Sequence, residues 1–181
     1  MHPQPLYLYG TNKEDGSPNF GLFTWFTFCW DGEYKVMACI GEPKLTKDRI
    51  LADGKFSANL VTEALLPLAD YMGNNSGHTP EKMNIPINLT RGKVLDVPVL
   101  TDSPLVYELE VDKHIPMADN SDVFICKIRN THDISKATGA PNLEDIVRAH
   151  NPVVSVGMEY FTLQPVSKGP WGQWKDLNKK L

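Results

Sequence analysis

Two stretches of the chain carry residues whose types and order could do chemistry. In Asn19-Phe20-Gly21-Leu22-Phe23-Thr24-Trp25-Phe26-Thr27-Phe28, aromatic side chains are interleaved with glycine and threonine. Strand alternation puts Phe20, Leu22, Thr24, Phe26 and Phe28 on one face and Gly21, Phe23, Trp25 and Thr27 on the other. Such a ribbon offers aromatic area, hydroxyl groups and close backbone approach, which suits a large flat ring with a polar rim. The same composition also serves an ordinary aromatic core strand. The second stretch, Gly41-Glu42-Pro43-Lys44-Leu45-Thr46-Lys47, leads into a short helical segment with Thr46 as its N-cap. Unpaired N–H groups and the positive end of a helix dipole suit a phosphate, and Lys44, Lys47 and the Thr46 hydroxyl strengthen that site. Capping accounts for Thr46 without any ligand.

The remaining chemistry-bearing residues form no constellation. His2, His78, His114, His132 and His150 are dispersed, away from metal-ligand spacings. Cys29, Cys39 and Cys126 are odd in number and make no CxxC or CxxH, which argues against a zinc site or a disulfide framework and for reduced thiols in a cytoplasmic protein. Cys29 and Cys39 flank a turn and could pair across a hairpin. No nucleophile–histidine triad stands out by position, and neither GxGxxG nor GxxxxGK[ST] occurs. Asn88-Leu89-Thr90 fits a glycosylation pattern, but no secretory signal precedes it. Trp171-Gly172-Gln173-Trp174 could clasp a partner, cover a ligand or dock on the fold.

The elements that must position these residues are mostly strands. Short runs at 6–9, 20–30, 34–40, 55–61, 105–114 and 123–129 read as strands, with 153–163 a final strand or extended segment. The segment 34–40 is apolar enough to be buried on both faces. Asp15-Gly16 and Asp31-Gly32 mark hairpin turns. Helical segments follow Thr46, ending at Asp53-Gly54, and span 63–71 and 143–149, with one helical turn at 80–83. Pro98 limits 94–100 to an edge or non-strand role. No linker or repeat divides the 181 residues, which read as one mainly β domain with short helices, a small closed or partly closed barrel. A net charge of -4 argues against nucleic-acid or anionic-membrane partners, and no apolar run is long enough for a membrane helix.

The order Gly10-Thr11, Asp15-Gly16, Pro18-Asn19, Thr24-Trp25, Thr46, then Phe56-Ser57-Ala58-Asn59, resembles the flavin-reductase-like family in its flavoredoxin-like branch. Asp70-Tyr71-Met72-Gly73-Asn74-Asn75-Ser76-Gly77 with Glu81-Lys82-Met83, and later 122–128, extend the likeness over roughly residues 5 to 165. The resemblance implies an FMN-binding split β-barrel of Greek-key topology, a homodimer, and FMN held non-covalently near the subunit boundary. It implies an NAD(P)H-dependent flavin reductase or flavin-based electron carrier, with NADH or NADPH as donor and a small-molecule acceptor. The alternative is an FMN-binding module or sensor without turnover. On this alignment Asn19 and Trp25 contact or border the ring, and the backbone at Phe26 and Thr27 faces its pyrimidine rim. Thr46 meets the phosphate, Lys82 reaches the flavin, and Tyr160 or Phe161 supplies a late aromatic. Lys44 and Lys47 join the phosphate site on electrostatic grounds. The family's flavin-side histidine has no counterpart here. Asn120, Ser121 and Asp122 occupy that region, and Asp122 would bring negative charge where a neutral or positive donor is expected.

Overall fold

The computed structural model describes residues 2–135, 139 and 142–169. The Trp171–Trp174 feature lies outside the described residues. Both Asp-Gly pairs make the turns expected of them, with Gly16 and Gly32 in the left-handed region at φ 81° and 76°. The first closes the hairpin of β2 (Tyr7–Asn12) and β3 (Pro18–Phe23), the second that of β4 (Phe26–Trp30) and β5 (Tyr34–Ile40). Helix α1 (Leu45–Asp53) stops at Gly54, whose φ of 67° and N–H bond to the Ile50 carbonyl form a left-handed C-cap. Strand β6 (Lys55–Leu60), helix α2 (Leu66–Asn74), a 3-10 turn (Pro80–Met83) and the short pair β7 (Leu89–Arg91) and β8 (Pro98–Leu100) follow. Long strands β9 (Leu105–Pro116) and β10 (Asp122–Asp133), helix α3 (Leu143–His150), and the hairpin β11 (Val153–Val156) and β12 (Glu159–Thr162) complete the chain, with β11 paired to β1 (Gln4–Pro5).

Seven strands form one sheet in the order β3-β2-β6-β9-β10-β5-β4, every pair antiparallel. The connection from β5 to β6 runs through α1 and passes over β9 and β10, which gives the Greek-key topology. The sheet curls around a core of Tyr7, Tyr9, Phe26, Val36, Phe56, Leu109 and Phe124. On the opposite face of β2, Leu6 and Leu8 pack with Phe20, Leu65, Ala69 and Met72 beneath α2. β2 is therefore buried on both sides, as alternation requires of a strand between two cores. β8 crosses so closely that a Cβ on Gly10 would meet the Ser57 Oγ at 2.5 Å and the Pro98 carbonyl at 2.6 Å. The fold is mainly β with short helices, a split barrel. Its split lies between the sheet's two terminal strands, β3 and β4.

Several sequence expectations need correction. The run 20–30 is two strands: Phe26 N–H bonds the Thr24 carbonyl at 2.9 Å, and Cys39 N–H bonds the Trp25 carbonyl at 3.0 Å, so the chain bends at Thr24-Trp25. Strand β5 is not buried on both faces, since Tyr34 and Met37 face solvent. The helix expected at 63–71 begins at Leu66, because Leu65 N–H bonds the Thr62 hydroxyl at 3.2 Å in a preceding turn. The final segment folds back at Gly157, φ 65°, into a hairpin. Cys29 faces Lys35 across its hairpin and is a free thiol, as is Cys39.

Candidate functional site

Thr46 does not cap α1. The helix begins at Leu45 with Lys44 as N-cap, and Thr46, in the second helical position, is buried. Its hydroxyl instead accepts from Asn19 Nδ2 at 3.0 Å, and the same amide nitrogen donates to Thr11 Oγ1 at 3.2 Å. Asn19 is fully buried, and its Oδ1 has no hydrogen-bond partner among the described residues. Both threonine hydroxyls can donate as well as accept. A half-turn of the amide would satisfy Oδ1 with them and aim Nδ2 toward Gly77. A Cβ on Gly77 would lie 2.8 Å from that oxygen, so the loop can approach only as glycine.

This cluster borders a cavity of about 240 Å³ at the start of α1, lined by Lys44, Thr46, Gly73, Asn74, Ser76 and Lys82 among others. Lys82 comes from the 3-10 turn and is 3% exposed. Its ammonium donates to the Met72 carbonyl at 2.9 Å, and no carboxylate pairs with it among the described residues. Burial, and then the positive charges of Lys13 and Lys44, push its pKa down to about 8. A buried ammonium held by one carbonyl is costly unless an anion comes to it. Helix amides, a hydroxyl and this ammonium therefore converge on a place suited to a phosphate.

The other two lysines differ. Lys44 sits at the rim, 3.4 Å from Glu42, whose φ of 62° places it in the left-handed region. Lys47 is buried and spent elsewhere. Its Nζ lies 3.0 Å from Asp122 Oδ2 and donates to the Asn120 carbonyl, so it ties α1 to the β9–β10 turn and does not line the cavity. Asp122 is in turn 2.5 Å from His114 Nε2. The His114 bond first, and then Lys47, hold its carboxyl below the usual carboxylate range. The negative charge that stood out in the sequence is thus matched by neighbours.

A larger cleft of about 590 Å³ adjoins the cavity, sharing Leu22, Gly73 and Asn74 with it, and includes Thr24, Trp25 and Tyr160 in its walls. The bend at Thr24-Trp25 leaves the indole 54% exposed. Tyr160 is fixed by a 2.7 Å hydrogen bond to Asp70 on α2, and burial together with that carboxylate raises its phenol to about 12. Phe26 turns its ring into the barrel, stacked on Tyr7 at 4.2 Å, so only its backbone is available to a ligand. Thr27 borders a neighbouring cleft of about 520 Å³ that also shares Trp25. Phe161 is half exposed on β12 and does not line the 590 Å³ cleft. The structure brings Trp25, Lys44, Thr46, Lys82 and Tyr160 around adjoining cavities, sets Asn19 behind Thr46 without lining them, and leaves Lys47 and Phe161 outside. The sequence reading gave no role to Gly77, Asn74 or Asp70. A Gly/Asn/Ser cluster reads as a flexible loop, and Asp70 is one of many helix-surface carboxylates.

The split barrel thus sets a cavity bordered by Lys44 and Lys82 beside a cleft that includes Trp25 and Tyr160 in its walls. Residues 1–151 match the model of the flavin reductase like domain, and the chain belongs to that family. Among solved structures it is similar to flavoredoxin from Methanosarcina acetivorans, at 18% identity and a TM-score of 0.82, covering 97% of this chain and 92% of that one. It is similar to flavoredoxin of Desulfovibrio vulgaris (Miyazaki F), at 23% and 0.80, covering 96% and 93%. It is also similar to an FMN-binding protein from Thermus thermophilus with bound p-hydroxybenzaldehyde, at 20% and 0.77, covering 93% and 91%. At these identities the likeness is one of fold. No curated protein matches the chain.

Proposed function

We propose that this protein binds FMN non-covalently, with the phosphate in the cavity at the start of α1 and the ring in the cleft beside Trp25, and that it serves as an NAD(P)H-dependent flavin reductase or flavin-based electron carrier. The observation that carries this reading is Lys82, a buried ammonium with a single carbonyl partner, lining a polar cavity that adjoins an aromatic cleft. When bound, FMN would supply the redox chemistry, accepting hydride from NADH or NADPH and delivering electrons to a small-molecule acceptor.

The chain's own residues hold and shield. Lys82, the Thr46 hydroxyl and the first amides of α1 bind the phosphate, and the Asn19 amide orients Thr46. Trp25 and Tyr160 wall the ring's cleft and exclude water, Asp70 keeping Tyr160 in place. The cavity matches one phosphate at one helix start, which favours FMN over FAD. We also read the exposed aromatics of β4 and β5 as the seam of a homodimer, with the flavin cleft at its edge.

Titrating the purified protein with FMN should perturb the flavin absorption bands at one equivalent per chain, and NADH or NADPH should then be oxidised in air. A protein that stays colourless and leaves the FMN spectrum unchanged would overturn the reading. Bound flavin reduced by neither nucleotide would reduce it to a binding module without turnover.

A further inference from the structure

Lys82 has a consequence beyond holding an anion, and it rests on the reading that the cavity at α1 takes the flavin's phosphate. We propose that phosphate binding is coupled to the proton on Lys82, so that the protein retains FMN at neutral pH and releases it as the solution turns alkaline.

The geometry makes Lys82 the one lysine lining this cavity that is both buried and without a carboxylate partner among the described residues. Apolar side chains such as Leu22, Phe23 and Leu45 share the cavity wall with it, and the charged groups that act on it are positive. Helix α2 offers the Met72 carbonyl, and the β2–β3 turn and the residue before α1 offer Lys13 and Lys44. Of the carboxylates on the elements that line the cavity, Glu42 pairs with Lys44 at 3.4 Å, Asp48 faces His78 at 3.9 Å, and Glu81 on the same turn makes no ion pair with Lys82 among the described residues. Burial and the two lysines lower the group to about pKa 8, whereas an ordinary lysine stays charged well past that.

A phosphate monoester, with its second pKa near about 6, is a dianion throughout the range above about pH 7. The ammonium is then the member of the pair that changes. The dianion favours the charged lysine and raises its pKa in the complex. Below about pH 8 the free site is already protonated and binding needs no proton. Above it, each binding event takes up one proton, and affinity falls by up to about tenfold per pH unit.

Riboflavin carries the same ring and ribityl chain without the phosphate, so it cancels ionisation of the ring. Dissociation constants of FMN and riboflavin, read from quenching of flavin fluorescence between about pH 6.5 and 9.5, should give a ratio that is flat to near pH 8. That ratio should then shift against FMN by about tenfold by pH 9. Lys82→Met should abolish the inflection and leave FMN binding at neutral pH as weak as the wild type's alkaline value, whereas Lys44→Met should keep the inflection. Should Lys82→Met not fold, the wild-type ratio decides alone. A flat wild-type ratio with FMN bound at every pH, or an inflection that survives in Lys82→Met, overturns the coupling and leaves the flavin reading standing. Failure to bind FMN at any pH overturns both.

Discussion

At the scale of single residues, the site turns on how each polar group is spent. Thr46 and Lys47 are neighbours on one helical turn, yet Thr46 joins the cavity through Asn19 while Lys47 is consumed by Asp122 and Asn120. Their roles can be separated by substitution. Thr46→Ala removes an acceptor for the buried Asn19 amide and a hydroxyl from the cavity at the start of α1. It should weaken FMN binding about 5- to 30-fold and cost about 1 kcal/mol of stability. Fluorescence titration and urea unfolding measure the two effects, and unaltered FMN affinity would place the phosphate elsewhere. The sequence made Thr46 visible because a threonine before a short helix is a strong signal. It misplaced the helix start by two residues, since Lys44 caps through its backbone alone and leaves no side-chain signature. Charge alone groups Lys47 with Thr46 at the start of the helix. Its true partner lies 75 positions away and is brought close only by the β9–β10 hairpin.

At the scale of elements, hairpins were legible and interruptions were not. Asp-Gly turns announce themselves because few residues tolerate positive φ. The bend at Thr24-Trp25, which exposes the indole, has no such marker, since it is held by main-chain bonds to Thr24 and from Cys39. Glu108 was equally hidden, one charged residue in an alternating strand. It is fully buried, and its carboxylate accepts from the N–H groups of Lys93, Val94 and Leu95 and from Asn130 Nδ2, with His132 Nε2 at 2.6 Å. It thereby pins the loop between β7 and β8 to β9. Burial alone would raise its pKa, but the bonds from Asn130, Leu95, His132 and Val94 outweigh it and bring the group down to about 2. A depressed folded-state pKa stabilises above the unfolded value and is lost as pH falls. The wild type should therefore hold this contribution, about 3 kcal/mol, above roughly pH 4.5 and lose it toward pH 2. Glu108→Gln, which cannot accept the same set of N–H groups, should cost about 2–4 kcal/mol at neutral pH and flatten that acid limb. Urea midpoints across pH check both, and an unchanged acid limb in Glu108→Gln would show that Glu108 is not the controlling group.

At the scale of the whole molecule, the barrel leaves its split edge apolar. β4 ends the seven-stranded sheet, and along it and β5 lie Trp25, Phe28, Trp30 and Tyr34 at 54%, 51%, 69% and 73% exposure. Trp30 and Tyr34 meet edge-to-face at 5.2 Å, which gives the hairpin a rigid aromatic tip. Phe28, Trp30 and Tyr34 lie on one side of this hairpin, large side chains of roughly 150–250 Å² each that are half or more exposed, the kind of apolar surface that marks an interaction site. β4 is also a terminal strand of its sheet, and natural proteins usually cover such an edge. A second copy, as proposed, would answer both needs, and Trp25, shared by the two clefts, would bring the partner to the rim of the proposed flavin cleft. On that proposal light scattering should give twice the single-chain 20.3 kDa and hold that value in high salt, because charge screening would not weaken an apolar seam. Trp30→Asp with Tyr34→Lys should return the mass to one chain while leaving the unfolding midpoint of the barrel almost unmoved, since neither side chain belongs to the core. FMN affinity in that variant should drop several-fold as water gains access to the cleft, a loss on the order of 1 kcal/mol. A wild-type mass of one chain at micromolar concentration would instead mean that the aromatic edge faces solvent or another partner and that each barrel holds its flavin alone.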